Sequence, residues 1–270
     1  MNMIISLVCM VFALILLGWV GLHIKPSAFS AYPQPALEIK TISLPQDLPA
    51  PVKRFYLQIY GENVPVIESA VISGRASLRL KGITFPGRFR FTHQAGQDYR
   101  HYIEVTLFGF PLMKINESYL DRKARMELPF GITENNPKLD QAANLGLWSE
   151  SIWFPSIWIT DPRVHWKPID DNTALLVVPF NEETEQLIMR FNPQSGLPDF
   201  LESMRYKDPA DDKKTLWLNQ ALKWNTFNGW TTLSIGALTW FDDGFPWAIF
   251  NVEDILYNAD VREYVKAKGL

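Results

Sequence analysis

The chain has 270 residues, with 26 Lys and Arg against 29 Asp and Glu, a net charge of -3 and a single cysteine. Charges of both signs are interspersed and no Lys/Arg stripe accompanies the aromatics, which argues against nucleic acid as the natural partner. One cysteine rules out an intramolecular disulfide.

Met1 to Ile24 contains no Asp, Glu, Lys or Arg. Within it, Ile4 to Leu22 has Ser6 as its only clearly polar side chain, and as a helix it reaches about 28 Å, the thickness of a bilayer's hydrocarbon core. Trp19 stands near the distal end, suited to the interface, and Lys25 follows. No basic residue precedes the run, and the run is longer than a signal peptide's apolar stretch, so residues 1–24 read as an uncleaved anchor. The small residues Ser27-Ala28-Phe29-Ser30-Ala31 only loosely mimic a cleavage site. Residues 25–51 hold Pro26, Pro33, Pro35, Pro45, Pro49 and Pro51, and read as an extended stalk.

The remaining chain suffices for one well-buried core or two small ones, and residues 52–260 read as one domain with a tail at 261–270. Val52, Phe55, Tyr56 and Ile59 follow helical spacing up to Gly61. Period-two alternation then takes over. Ala76, Leu78 and Leu80 alternate with Arg75, Ser77 and Arg79; Phe89 and Phe91 alternate with Arg88 and Arg90. Ile103 to Leu107 and Ala124 to Leu128 repeat the pattern, so each segment predicts a strand with one wet face. Residues 138–154 carry Leu139, Ala142, Ala143 and Leu147 at helical spacing, ended or kinked by Pro155. Strands resume at Val164 and continue to Tyr257, with Asn228-Gly229 and Asp243-Gly244 as hairpin turns. The fold class that follows is α+β: a single N-terminal transmembrane helix, then a large curved antiparallel sheet, a half-barrel, packed on one long central helix and a short leading helix. A doubly wound fold is excluded because strands and helices do not alternate.

Nine tryptophans lie beyond the anchor, all after residue 147. They read either as filling between helix and sheet or as the lining of an apolar pocket. In the second reading Trp148, Trp153, Phe154, Trp166, Trp224 and Trp240 bind a lipid or another hydrophobic small molecule. Catalytic signals are weak. Glu150, between Trp148 and Trp153, becomes a candidate acid or recognition group if an aromatic lining desolvates it and raises its pKa. His165 and Asp170 are the other weak candidates, each more simply explained as structural. His93 and His101 flank Gly96-Gln97-Asp98 and can face each other across a hairpin, but no HExxH, HxH or Cys/His spacing exists. No metal and no cofactor is therefore expected. No phosphate-binding loop or GxSxG elbow occurs either.

The chain resembles a family of uncharacterised bacterial proteins with a short N-terminal membrane span and an outer domain of unassigned activity. The landmarks are Pro51-Val52-Lys53-Arg54-Phe55, Gly109-Phe110-Pro111, Tyr119, Pro129-Phe130-Gly131, Trp153-Phe154-Pro155 and Val164-His165-Trp166-Lys167-Pro168-Ile169-Asp170-Asp171. The segment Tyr119-Leu120-Asp121-Arg122 departs from the family's short turn by lacking glycine. The resemblance implies an anchored, sheet-rich domain outside the cytoplasm and supplies no catalytic residues. More distantly, the expected architecture is similar to the half-barrels of periplasmic lipoprotein carriers. The function expected is thus a membrane-anchored binding or transfer module for a lipid or hydrophobic molecule. The alternatives are an envelope scaffold that binds another protein, or a small hydrolase using Glu150, His165 or Asp170.

Overall fold

The computed structural model describes residues 2–269; Met1 and Leu270, at the outer ends of the anchor and tail, lie outside that range. Helix α1 (Asn2–His23) opens the chain, and α2 (Ala50–Ile59) follows a short strand β1 (Thr41–Ser43) that pairs with β2 (Asn63–Pro65). Six strands form a first meander: β3 (Ser69–Leu80), β4 (Ile83–Gln94), β5 (Asp98–Leu107), β6 (Phe110–Leu120), β7 (Lys123–Leu128) and β8 (Gly131–Glu134). Helix α3 (Pro137–Glu150), a 3-10 turn (Ser151–Trp153) and α4 (Ile157–Thr160) interrupt them. A second meander follows: β9 (His165–Asp170), β10 (Thr173–Phe180), β11 (Glu183–Phe191), β12 (Pro198–Arg205), β13 (Thr215–Phe227), β14 (Trp230–Trp240) and β15 (Pro246–Tyr257).

All thirteen strands from β3 to β15 form one antiparallel sheet, in the order β8-β7-β6-β5-β4-β3-β15-β14-β13-β12-β11-β10-β9. The meanders are sewn together at the centre, where β15 pairs with β3 from Ala248↔Leu78 to Tyr257↔Ala70. Helix α3 touches β6 and β7 on one arm and β10 and β12 on the other. Strands that far apart in a sheet meet one helix only if the sheet curls around it, and this is the half-barrel expected from the sequence. The central helix ends at Glu150, and the residues up to Trp153 tighten into the 3-10 turn.

Helix α1 is the one described helix long and apolar enough to cross a membrane: Ile4–His23 has a mean hydropathy of 2.7 and is almost wholly unburied by protein. Its last turn meets the β5–β6 hairpin, where the Phe108 N–H donates to the Gly21 carbonyl at 2.9 Å. A Cβ on Gly21 would stand 2.7 Å from the Phe108 ring, so glycine is what permits the approach.

The outer face of β3–β5 is only partly wet: Ser77, Arg79 and Thr84 are exposed as the alternation predicts, whereas Arg90, Arg100 and Glu104 are buried. The Arg75 Nε donates to the Pro26 carbonyl at 2.9 Å, the Arg88 Nη1 to that of Ser27 at 3.0 Å, and the Arg90 Nη2 to that of Ser30. Phe29 lies under the Arg88 guanidinium. Residues 24–31 lie in no strand, so these arginines satisfy carbonyls that would otherwise need water. The tail adds to the cover: Arg100 Nε donates to the Val265 carbonyl at 2.8 Å, and Val261 and Val265 pack on Val71. Pro51, placed in the stalk by composition, lies in the first turn of α2, where its missing N–H costs nothing.

The glycine-free turn after Tyr119 is a two-residue hairpin connection with Asp121 at φ 48° and Arg122 at φ 64°. The Asp98 carboxylate compensates by accepting the Asp121 N–H at 2.9 Å. Left-handed backbone is unfavourable for a residue with a Cβ, so Arg122→Gly should stabilise the protein by roughly 0.5–1 kcal/mol, read as a higher denaturant midpoint with an unchanged slope.

Candidate functional site

The site is built around α3, which is buried from Asp140 to Ser149 although it carries many polar residues. Asn136 caps its start by accepting from the Lys138 N–H at 2.9 Å, and Pro137 occupies the first turn. A buried polar helix is stable only if each group finds a partner. Asp140 accepts from the Ala124 N–H at 2.8 Å and from Lys123 Nζ at 2.9 Å, both on β7. Gln141 donates to Glu185 of β11 at 2.8 Å. Asn144 donates to the Pro179 carbonyl of β10 at 3.1 Å and accepts from the Tyr119 hydroxyl of β6 at 3.2 Å. The helix is thereby fastened to both arms of the curled sheet.

Its last residue, Glu150, meets two histidines. The register pairs His93 with Tyr99 and Phe91 with His101, so His93 and His101 are diagonal neighbours on the core face of β4 and β5. Glu150 Oε2 lies 2.7 Å from His101 Nε2 and 3.3 Å from His93 Nε2. On the other side of the His101 ring, Nδ1 is 3.6 Å from Glu117 Oε2, and Glu117 accepts from the Tyr99 hydroxyl at 2.5 Å. Packing fixes both rings: Tyr99 stacks on His101 at 4.0 Å between centroids, and Phe154 lies 5.3 Å from His93.

Charge decides the protonation here. Burial alone would raise the Glu150 pKa, but the closeness of His101, then that of His93, outweighs it and holds the carboxyl down to about 2. The rise expected from an aromatic lining is thus reversed, because two imidazoles face this carboxylate. Burial would lower His101, yet Glu150 and Glu117 together raise it to about 9. His93 goes the other way: burial dominates and lowers it. Glu117 is opposed by burial but lowered by His101 and Arg205.

Next to Glu150 a narrow slot opens between the 3-10 turn and strands β12–β15, with a volume of about 40 Å³. Phe91, Ile152, Trp153, Leu233, Leu238 and Phe250 make its walls. Its floor is open because two small residues, Ala221 and Gly236, stand opposite each other on β13 and β14. Register shifts in β13 between Ala221, Lys223 and Trp224 distort the ladder beside this floor. The slot admits two or three water-sized groups, or the end of a thin apolar chain. Larger surface hollows are mixed in lining; the depression between Ser69, Gln94 and Asn258 is lined by Leu37, Val66 and Val261 as well as by Glu38, Lys40, Asp260 and Arg262.

Of the residues that the sequence suggested for ligand binding, Trp153 lines the slot. Trp148 and Phe154 are buried filling, the former accepting the Trp158 indole N–H on its carbonyl at 3.0 Å. Trp166 packs edge-on to Trp158, Trp224 to Phe55, and Trp240 lies against Trp217. His165 and Asp170 are exposed on the edge strand β9, where Asp170 accepts the Asn172 N–H at 2.8 Å; neither joins Glu150. The residues the structure does add to Glu150 are His93, His101 and Glu117. The first two carried a signal, their placement about one hairpin turn, whereas Glu117 carried none.

The pH dependence follows from these shifts, with chelator present so that only protons compete. The His101 contribution is complete below about 6.5, its ordinary value, and is lost as pH rises through about 9. The Glu150 contribution is present above its ordinary 4.5 and lost as pH falls through about 2. Denaturant titrations from neutral to alkaline pH should therefore show stability falling towards pH 9, and His101→Gln should flatten that limb.

The family model for a family of unknown function, DUF6544, matches residues 38–251. No curated protein matches the chain. Solved structures of similar shape include a DUF1329 family protein from Desulfovibrio piger, at 12% identity and a TM-score of 0.43, covering 72% of this chain and 87% of that one. An outer membrane lipoprotein-sorting protein domain from Vibrio parahaemolyticus matches at 8% identity and a TM-score of 0.44, covering 80% and 95%. A LolA superfamily protein from Nitrosomonas europaea matches at 10% identity and a TM-score of 0.46, covering 76% and 91%. The match from residue 38 to residue 251 spans most of the 270, including every strand that builds the site, and the chain belongs to the DUF6544 family.

Proposed function

We propose that the protein is a membrane-tethered binding module that takes the apolar end of a lipid or other hydrophobic small molecule into the slot beside Glu150. The observation that carries this reading is the slot itself: aromatic and aliphatic walls, a floor left open by Ala221 and Gly236, and a carboxylate at one side. Its volume of about 40 Å³ restricts cargo to end-on insertion of a thin chain, with the remainder outside. Whole-molecule enclosure would require the 3-10 turn to part from β14.

The tether supports a bilayer as the source of cargo. In an antiparallel meander alternate turns share one end, so the β3–β4, β5–β6, β7–β8 and β14–β15 connections lie together. That end displays Ile83, Phe110, Phe130, Phe241 and Phe245 to solvent, with Phe110 74% and Phe130 83% exposed. Helix α1 docks at the same end, on Phe108. Exposed apolar tips beside a membrane-length helix fit insertion into the interface. The family resemblance supports placing the sheet domain outside the cytoplasm.

Two experiments test this. Full-length protein in detergent micelles should bind a fluorescent fatty acid, and Ala221→Leu, which fills the slot from its floor, should weaken binding by at least about tenfold without lowering thermal stability. Equal binding by the variant would overturn the slot as the site. For the tips, a Cys9→Ser background carrying Phe110→Cys or Phe130→Cys, labelled with a fluorophore and reconstituted in vesicles, should be quenched by spin-labelled lipid. Thr226→Cys, at the opposite end of the sheet, should not. Quenching that is equal at all three positions, or absent at all three, would remove the bilayer contact and leave the tips to a protein partner.

A further inference from the structure

We propose that His93, His101 and Glu150 bind a divalent first-row transition-metal ion, with Zn²⁺ the best fit to the donor set. Two imidazole nitrogens and one carboxylate oxygen lie within 4.8 Å of one another. A tetrahedral zinc with bonds of about 2.0–2.2 Å holds its ligand atoms roughly 3.3–3.5 Å apart. The two separations from Glu150, 2.7 and 3.3 Å, need only small side-chain rotations to reach that spacing.

A buried ion pair without metal is the competing account, and hydrogen-bond geometry separates the two. His93 Nδ1 and Nε2, His101 Nε2 and Glu150 Oε2 are buried with no properly directed hydrogen bond, although the oxygen is close to both Nε2 atoms. Groups assembled for one another would be aligned for proton sharing. Here two imidazole nitrogens and one carboxylate oxygen are grouped without that alignment, a grouping that an ion between them accounts for. The surroundings match as well. His101 points Nδ1 at Glu117, which the Tyr99 hydroxyl holds, giving the carboxylate–histidine support that orients metal-bound imidazoles. Nitrogen donors disfavour Ca²⁺ and Mg²⁺, and the lack of thiolate disfavours soft ions. Three protein ligands beside a slot leave a further position for water or a ligand, with Glu150 forming part of the slot wall. The assignment is independent of hydrophobic cargo.

The test uses the full chain in detergent micelles, in a Cys9→Ser background, stripped with chelator, incubated with Zn²⁺ and desalted. Elemental analysis should find about one Zn²⁺ per chain, as expected of a single site. His101→Gln and Glu150→Gln should each lose at least about tenfold in affinity, and Glu117→Gln about 10–100-fold. His23→Gln and His165→Gln should bind as the parent does. Circular dichroism identifies any variant that fails to fold, and X-ray absorption on the zinc-loaded parent then decides without mutation. Nitrogen and oxygen neighbours with outer-shell scattering from two imidazoles support the site. A parent that retains no zinc, a spectrum without imidazole scattering, or folded His101 and Glu150 variants that bind normally would each overturn it.

Discussion

The structure depends on burying a polar helix by pairing most of its polar side chains with the sheet around it. Helix α3 lies inside the curled sheet, and an amide or carboxyl left unsatisfied there costs about 1–3 kcal/mol or more. Asp140 fastens the helix to β7, Gln141 to β11, and Asn144 to both β6 and β10. These bonds specify how far the two arms close and how the helix is rotated between them. Glu150 is the last such group, and the only one of the series that meets imidazoles instead of a simple donor.

The sheet topology makes this arrangement possible. Pairing β15 with β3 joins two meanders into one surface and leaves α3, which connects them, to fall between the arms. Because β4 and β5 sit near the centre, their core-facing residues lie under the helix's C-terminal end. Phe89, Phe91 and Phe250 supply apolar packing to one side, while His93, Tyr99, His101 and Glu117 form a polar island on the other. The slot lies where these regions meet, over the two small residues of β13 and β14. A polar cluster there borders an apolar opening.

Anchoring and covering are coupled through the segment after α1. Three arginines of β3 and β4 bind its carbonyls, so the chain leaving α1 is held against the sheet's outer face. The domain's orientation relative to the helix is then set by the sheet itself, and the hairpin tips with Phe110 and Phe130 are held at the helix end.

Period-two alternation located β3, β4, β5 and β7, and helical spacing located α2 and most of α3, because local geometry repeats the burial pattern along the chain. The membrane-length helix was legible from composition alone. Which faces are wet was not: Arg75, Arg88 and Arg90 read as solvent-facing because a distant extended segment leaves no mark on their own alternation. Aromatic side chains announced a core but not its gaps, since a slot arises from Ala221 and Gly236, whose smallness matters only once β13 lies beside β14. The histidines were visible as a hairpin pair, yet their partner Glu150 is 49 residues beyond His101 in the chain. Sequence thus determined the elements and the membrane-length helix, whereas the curl of the sheet about α3 decided the site, because only tertiary closure brings a helix carboxylate onto two strands and sets the charges that fix its protonation.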